Sequence, residues 1–306
     1  MDFVHLHTHS EYSLLDSTNT IRGLLEKAKD QGMSAIALTD HGNVRGAVEF
    51  YQEAQKIGVK PIIGCELYVA PGSRHDKRGG NQEKDSYFHL VVLAKNNQGY
   101  RNLVKLSSRA FTEGFYYKPR VDSELLSDYS EGLIALSACK SGEIPKKLLQ
   151  GDYDGAVEAG KKYAEIFGEE DFYLELQDQD VEGQDKLNDQ VVEVSEELDL
   201  DLVATNDVHY LDPDDRLAHE VLLNIKANKK ITDEDRMRYE GEEYYLKSPE
   251  EMKERFSHVP EALENTVDIA SRCEVDLDFG DDYLLPPFEV PDKYESSLDY
   301  LRKLVE

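Results

Sequence analysis

Three histidines at alternate positions, His5, His7 and His9, are the first residues whose spacing could do chemistry. If residues 2–8 form a strand, side chains two residues apart lie on the same face. His7 and His9 can then bind one metal ion or two adjacent ions. A single histidine in a strand is more often a core residue with a hydrogen-bond partner. Three on one face favour a metal site, because burying several unpaired imidazoles costs free energy.

Further potential ligands stand near the ends of later β-branched runs that we expect to be strands. These strands are predicted at 34–39, 60–69, 87–94, 132–138, 171–177 and 201–206. If the strands are parallel, their carboxyl ends meet at one mouth of a barrel. Imidazole, carboxylate and thiolate together suit Zn²⁺, with Mn²⁺ or Fe²⁺ as alternatives. The residues concerned are Asp16, His41, Glu66, His89, Cys139, Asp207 and His209.

Amphipathic helices are predicted between these strands, at 20–31, 44–57 and 184–199. Strands that alternate with helices predict an α/β fold with a parallel sheet. Seven such units suit a closed or nearly closed barrel better than an open sheet.

The predicted organisation has three parts. Residues 1–212 form the metal-binding barrel, and residues 213–285 form a mostly helical extension with one strand candidate at 243–247. Residues 286–306 begin a further segment whose last helix, 294–306, has no stop signal, which indicates a fragment of a longer polypeptide.

Composition limits the function classes. The chain has 306 residues and a formal net charge of −28. It contains no apolar run of the roughly 20 residues needed for a membrane span and no signal peptide. Its three cysteines are too few for a disulfide framework, so we expect a cytoplasmic protein. A surface this acidic should not hold nucleic acid unaided, because phosphate binding needs clustered Lys and Arg.

The sequence resembles the polymerase-and-histidinol-phosphatase (PHP) domain, most closely the form at the N-terminus of bacterial DNA polymerase III α subunits. The segments Gly114–Arg120 and Tyr245–Met252 resemble the polymerase form in particular. The general motifs are His7-Thr8-His9-Ser10, Asp40-His41-Gly42, Gly64-Cys65-Glu66, His89, Ser137-Ala138-Cys139 and Asn206-Asp207-Val208-His209.

That resemblance implies a distorted, seven-stranded, TIM-like (β/α)7 barrel with two or three divalent ions. It implies catalytic roles for His9, Asp207 and His209, with His5 and Asp40 supporting the ligands from behind. Lys118 and Arg120 are weaker candidates for binding phosphate; an ordinary loop ion pair is the alternative for both. The implied metal ligands are His7, His9, Asp16, His41, Glu66, His89, Cys139, Asp207 and His209.

The implied reaction is metal-assisted hydrolysis of DNA from its 3′ end, a proofreading 3′→5′ exonuclease. Asp16, Glu66, Asp207 and Cys139 would bring four negative charges, which two or three divalent cations neutralise, so that the loaded site can accept phosphate. The implied partners are a DNA 3′ end delivered by the rest of the polymerase, its palm and thumb domains, and a separate proofreading subunit.

Two alternatives remain open. The domain could be a catalytically silent module that stabilises a polymerase or binds a partner, or a small-molecule phosphatase of the histidinol phosphatase type. Of the remaining histidines, His75, His219 and His258 lie in polar context and are predicted to be solvated, whereas Cys65 and Cys273 are predicted to be buried apolar residues.

Overall fold

The computed structural model describes residues 2–77, 87–280 and 288–306. The chain divides into two compact units, Met1–Asp276 and Leu277–Glu306. In the second unit, a helix at Ser297–Val305 begins where the Ser296 hydroxyl accepts a hydrogen bond from the amide of Asp299. This helix agrees with the one predicted at 294–306. The predicted boundary between residues 285 and 286 lies outside the described residues.

A curled mixed sheet of seven strands forms the centre of the first unit, and the α/β prediction is confirmed. The strand order is β1-β2-β3-β5-β6-β7, and the short β4 pairs with the end of β2. The strands are β1 Ala35–Leu38, β2 Lys60–Val69, β3 Phe88–Ala94, β4 Arg120–Val121, β5 Leu133–Leu136, β6 Phe172–Gln177 and β7 Leu202–Thr205.

The expectation of a wholly parallel sheet is wrong at β3. This strand runs antiparallel to both β2 and β5, with Glu66 opposite Val91 and Tyr68 opposite His89. The reversal brings the first residues of β3 to the edge where its neighbours end. His89 therefore reaches the mouth of the barrel from the start of its strand rather than from its end.

The predicted strand at 2–8 is not a regular strand, but its backbone bridges the two outer strands of the sheet. On one side, the amides of Ala37 and Thr39 donate to the carbonyls of His5 and Thr8. On the other side, the amide of Val208 donates to the carbonyl of His7 at 3.1 Å. The segment thus lies between β1 and the chain that follows β7, and it helps the sheet to close on itself.

Apolar side chains fill the inside of the curl below the mouth. Ile62 on β2, and Val91 and Leu93 on β3, belong to one buried cluster. Because strand side chains alternate between faces, Glu66 and His89 extend the same inward faces upward. The core and the polar mouth are therefore two levels of one barrel interior.

Helices surround this sheet at positions set by local capping. Thr20 caps the first helix by accepting from the amide of Gly23, and Gly58, with φ of 81°, ends the second. The predicted helices at 20–31, 44–57 and 184–199 agree with α1, α2 and α7. The helices of the first unit are α1 Ile21–Asp30, α2 Ala47–Ile57, α3 Asn97–Thr112, α4 Ser123–Asp128, α5 Glu143–Leu149, α6 Tyr153–Phe167, α7 Gln184–Leu198, α8 Arg216–Lys226, α9 Pro249–Arg255 and α10 Pro260–Arg272. The helix of the second unit, Ser297–Val305, is α11.

The region predicted as a helical extension contains α8, α9 and α10. A non-helical stretch at 227–248 separates α8 from α9. The strand candidate at 243–247 reduces to one parallel bridge between Tyr245 and Tyr210. Ile269 and Ala270 of α10 join the barrel core. No helix in the described part of the chain is long and apolar enough to cross a lipid bilayer.

The contact between α10 and the N-terminal segment gives a stability prediction. The fully buried Thr266 hydroxyl accepts a hydrogen bond from the amide of Val4 at 3.2 Å. Thr266→Val keeps the side-chain shape but leaves that amide unpaired, so we expect a loss of about 1–3 kcal/mol in the free energy of unfolding. Urea denaturation measures it. The matched control is Thr112→Val, at an exposed position of α3, with an expected change below about 0.5 kcal/mol. Equal losses in the two variants would contradict this role for Thr266.

Candidate metal centre

A single buried carboxylate, that of Glu66 on β2, contacts four imidazoles. Its Oε1 atom lies 2.7 Å from Nδ1 of His89 and 3.4 Å from Nε2 of His7. Its Oε2 atom lies 3.7 Å from Nε2 of His9 and also contacts Nδ1 of His41. The Glu66 side chain is fully buried. The two oxygens therefore face different pairs of imidazoles.

A second carboxylate, that of Asp207, faces the histidines of the N-terminal segment. Its Oδ1 atom is 3.2 Å from Nε2 of His7 and 3.1 Å from Nε2 of His9. The ring of His209 stacks on the ring of His9, with their centroids 4.4 Å apart. The i, i+2 pair Asp207 and His209 thus meets the i, i+2 pair His7 and His9 across the barrel mouth.

The other candidate ligands complete two sides of the cluster. The Cys139 sulfur lies 3.7 Å from Nδ1 of His89 and 3.9 Å from Oε1 of Glu66. Oδ2 of Asp16 lies 3.7 Å from Nε2 of His41. The structure therefore brings all nine sequence-predicted ligands together. Three groups have donor atoms within 4.8 Å of one another: His9 with His41 and His209, His7 with His9 and Glu66, and Glu66 with His89 and Cys139.

Left-handed backbone turns direct three of these ligands. Leu15, just before Asp16, has φ of 57°, and Ala138, just before Cys139, has φ of 63°. Asp207 itself has φ of 48°. This conformation is unfavourable for residues other than glycine, by roughly 1–3 kcal/mol each. All three positions adjoin or are candidate ligands, so the strain occurs where side chains must be directed into the site.

The donor set fits divalent transition metals. Three buried atoms, Nε2 of His7, Nδ1 of His41 and Oε2 of Glu66, have no hydrogen bond of good geometry. Buried polar atoms are normally paired, and atoms left over need a ligand. Each of the three points into the cluster and has a lone pair to offer in the appropriate protonation state. Imidazoles, carboxylates and one thiol match zinc chemistry, and manganese or iron would also suit them.

Burial and neighbouring charges perturb the protonation of the cluster. Burial lowers the pKa of His209 to about 3 and also lowers the pKa of His9, so both imidazoles stay neutral. Burial likewise disfavours protonated His7, but the charges of Asp207 and Glu175 outweigh it and raise the pKa of His7 well above its usual value.

The Cys139 thiol is held protonated by the same surroundings. Burial, followed by the negative charges of Glu66 and Asp207, raises its pKa well above the ordinary value. A divalent ion beside the sulfur would reverse this balance, because its positive charge favours the thiolate.

Several residues hold the ligands from behind, and sequence reasoning missed one of them, Glu175. Its Oε1 atom lies 2.7 Å from Nδ1 of His7 and 2.7 Å from the side-chain nitrogen Nε2 of Gln177. A carboxylate behind a ligating imidazole fixes the orientation of the ring. The alternate positions of Glu175 and Gln177 on a buried strand were the signal that could have identified the pair.

Asp40 supports His9 rather than the ring of His41. Its carboxylate accepts hydrogen bonds from the hydroxyls of Ser10 and Ser13, and Ser13 Oγ lies 3.0 Å from Nδ1 of His9. Ser13 also accepts from the backbone amide of His41. His5 lies further away: its Nε2 atom is 2.9 Å from the carbonyl of Lys247.

The non-helical stretch 227–248 and the end of α8 also contact the cluster, which the sequence did not reveal. The hydroxyl of Tyr239 donates to Oδ1 of Asp16 at 2.8 Å and lies 3.2 Å from Nε2 of His209. Lys226 at the end of α8 donates to Oδ2 of Asp16. The two contacts with Asp16 join residues more than 200 positions apart, and no local spacing encodes them.

Lys247 braces the strand end that carries Asp207. Its buried ammonium donates to Oδ1 of Asn206 at 3.0 Å and to the carbonyl of Glu243 at 2.7 Å. The side-chain nitrogen Nδ2 of Asn206 in turn donates to the backbone carbonyls of Glu243 and Tyr245. The backbone beside Asp207 is therefore held by the extension.

The two phosphate candidates occupy different environments. The ammonium of Lys118 lies 5.0 Å from the centre of the Tyr68 ring, which is itself 5.3 Å from the ring of His89. Lys118 is thus at the rim of the site. Arg120 is buried, and its guanidinium donates to the backbone carbonyls of Gly114 and Asp76. Its geometry favours a role in holding the loop.

Outcomes for the other residues are mixed. The expectation that His219 is solvated is wrong, because it is buried and its Nε2 atom lies 2.8 Å from the carbonyl of Asp16. His75 and His258 are exposed, as predicted. Cys65 and Cys273 are buried, also as predicted.

The cluster opens into a pocket of about 470 Å³. One wall consists of candidate ligands, among them Glu66, His89 and Asp207. Arg238 and Tyr239 from the stretch 227–248 also line the pocket. The candidate donor atoms are therefore accessible from this pocket.

Comparison with known proteins agrees with this geometry. The chain is 47% identical over 305 residues to the DNA polymerase III subunit alpha of Treponema pallidum, which covers 100% of this chain and 26% of the relative. It is 44% identical over 314 residues to that of Thermus aquaticus, covering 99% of this chain and 25% of the relative. The chain thus spans about a quarter of the length of the curated relatives it matches.

Solved structures give a more distant likeness. A two-domain protein from Bacteroides vulgatus, described as containing a predicted PHP-like metal-dependent phosphoesterase, matches with a TM-score of 0.41 and 12% identity. The match covers 89% of this chain and 72% of that one. A family model described as "PHP domain" matches residues 5–179, more than half of the chain. The chain belongs to the PHP domain family.

Proposed function

We propose that this chain is the metal-dependent phosphoesterase domain of a bacterial replicative DNA polymerase α subunit and that it removes nucleotides from DNA 3′ ends. The observation that carries the proposal is the Glu66 carboxylate, which contacts His7, His9, His41 and His89. A buried anion surrounded by imidazoles with unpaired nitrogens is suited to bridging cations. Whole-chain similarity to polymerase α subunits supports the assignment of the parent protein.

Two or three divalent ions would be held by the nine candidate ligands. When bound, such ions polarise a phosphoryl oxygen and lower the pKa of a coordinated water. Glu66 would be shared between neighbouring ions, and Asp207 would serve the side nearest His7 and His9. Zinc suits the mixed nitrogen, oxygen and sulfur set, with manganese and iron as alternatives.

The residues of the chain itself would bind and orient the substrate. We assign the catalytic roles to His9, Asp207 and His209, which meet at the cluster: Oδ1 of Asp207 lies 3.1 Å from Nε2 of His9, and the ring of His209 stacks on that of His9. Glu175 and Ser13 hold the rings of His7 and His9 in place. The hydroxyl of Tyr239 donates to Asp16 and lies beside His209, so it holds these two side chains in place at the wall of the pocket.

Charge explains why the rest of the polymerase would have to deliver the DNA. At a net charge of −28, the chain repels a polyanion at long range. The bound cations would act only at short range, because solvent ions screen surface charges over about 8–10 Å. A 3′ end brought to the pocket by the palm and thumb domains would be attracted, whereas free DNA would bind weakly. A proofreading subunit remains a further proposed partner.

The metal content of the purified protein is the first prediction. We expect two or three equivalents of transition metal by inductively coupled plasma mass spectrometry. Glu66→Gln removes the shared charge and should release at least one equivalent, whereas Glu26→Gln, at an exposed position of α1, should retain the full content. A metal-free wild type that is folded and stays inert with added Zn²⁺ or Mn²⁺ would favour the silent, structural module.

The reaction itself is the second prediction. With a 5′-labelled primer carrying a 3′ mismatch, the wild-type chain with Mn²⁺ or Zn²⁺ should shorten the primer stepwise, and a chelator should stop it. Asp207→Asn should lower the rate by roughly 100-fold or more, since it weakens a proposed ligand without changing its size.

The control for that experiment is Asp212→Asn, five residues further along, where the side chain is 64% exposed and pairs with Lys27. It should retain full activity. Unchanged activity in purified Asp207→Asn would indicate a contaminating nuclease and contradict the proposal. Hydrolysis of small phosphate monoesters with no cleavage of primer would favour the histidinol phosphatase alternative.

A further inference from the structure

Two cations outside the candidate ligand set line the metal pocket within the described residues: Lys140 and Arg238. Lys140 has a partner of its own, because its ammonium forms an ion pair with the carboxylate of Glu240. Arg238, on the stretch 227–248, has no acidic partner to itself among the residues that the structure describes.

Arg238 shares its acid with another arginine. The Glu220 carboxylate lies 2.5 Å from Nε of Arg236 and 3.4 Å from Nε of Arg238, both through Oε1. Arg236 also donates to the carbonyl of Asp233 and is only 19% exposed, whereas the Arg238 side chain is 54% exposed. One carboxylate neutralises one guanidinium, and the closer Arg236 takes most of its charge. Arg238 is therefore the cation left with charge to offer.

The neighbouring residue fixes where that charge lies. Tyr239 is half-buried and its hydroxyl contacts Asp16 and His209, so the backbone at Arg238 is anchored at the wall of the metal pocket. The Arg238 side chain also borders an adjoining cavity of about 420 Å³. Arg238 thus lines both the metal pocket and the cavity next to it, with a side chain that is more than half exposed.

We propose that Arg238 binds the phosphate next to the scissile phosphodiester, so that the site selects an oligonucleotide end over an ester with a single phosphate. This rests on the proposed phosphodiesterase function. A guanidinium pairs with two phosphate oxygens at once, and such charge-assisted hydrogen bonds are stronger than neutral ones. Arg238 touches substrate away from the reacting atoms, so it acts on binding and not on the bond that breaks.

The test compares Arg238→Gln and Arg238→Lys with wild type on two substrates, a short single-stranded oligonucleotide and bis-p-nitrophenyl phosphate. Arg238→Gln should raise KM for the oligonucleotide by roughly 10- to 100-fold with little change in kcat. Its kcat/KM on the single-phosphate diester should stay within about 2-fold of wild type. Arg238→Lys keeps the charge, so its KM for the oligonucleotide should lie between the KM of wild type and that of Arg238→Gln.

The matched control is Arg216→Gln, since Arg216 lines the adjoining cavity but not the metal pocket and pairs with Glu242. It should leave both substrates unaffected. An equal loss in Arg216→Gln would show a general charge effect and overturn the proposal. An unchanged KM for the oligonucleotide in Arg238→Gln would also overturn it. An equal loss on both substrates together with reduced metal content would overturn it too, because Arg238 would then support the metal site.

Binding separates this proposal from the proposed function. A 5′-fluorescent oligonucleotide with phosphorothioate linkages is titrated at an ionic strength of about 0.15 M, where salt screens the net negative charge of the chain, and anisotropy is measured for each variant. If the wild type cleaves neither substrate, the proposed function fails, but a weaker Kd for Arg238→Gln alone still supports the phosphate contact. A wild type that does not bind the oligonucleotide, or variants that all bind equally, would overturn it.

Discussion

The buried carboxylate of Glu66 is the constraint on which the rest of the site depends. An ionised carboxylate in a protein interior is tolerated only when positive charge or several hydrogen-bond donors surround it. Here the donors come from the N-terminal segment, the end of β1, the start of β3 and the end of β5. Each must approach within a few ångströms, so the position of one side chain fixes the approach of four chain segments. Divalent ions bound among these groups would add further positive charge beside the carboxylate.

The fold meets this demand through two departures from a regular parallel barrel. Because β3 is antiparallel to β2, its second residue, His89, lies beside Glu66. The irregular N-terminal segment closes the gap between β1 and β7 while presenting His7 and His9 to the mouth. Left-handed backbone at Ala138 and Asp207 turns two more ligands inward. The apolar interior beneath provides a rigid base, and the extension fastens Asp207 through Asn206 and Lys247.

The ligand set was accessible from the sequence because it follows two short-range rules. Side chains at i and i+2 share a strand face, which paired His7 with His9 and Asp207 with His209, and residues at strand ends gather at one mouth. The direction of β3 was not accessible, since an antiparallel strand and a parallel one have the same apolar pattern. The only local signal for Glu175 was its alternation with Gln177 on a buried strand, and that spacing does not reveal which imidazole the carboxylate contacts. The contacts of Tyr239, Lys226 and His219 with Asp16 join positions more than 200 residues apart, and residue spacing does not encode such contacts. Arg120 was offered as a phosphate ligand from its type and neighbours, but only coordinates reveal that backbone carbonyls surround it.

The most direct measurement of the central claim is an anomalous diffraction map of crystals grown from protein as purified. If Glu66 bridges cations, the map should show peaks on both sides of its carboxylate, one next to His7 and His9 and one next to His89 and Cys139, at about 2.0–2.3 Å from the donor atoms. A map without metal peaks at the barrel mouth, with the Glu66 oxygens bonded only to protonated imidazoles, would contradict the account.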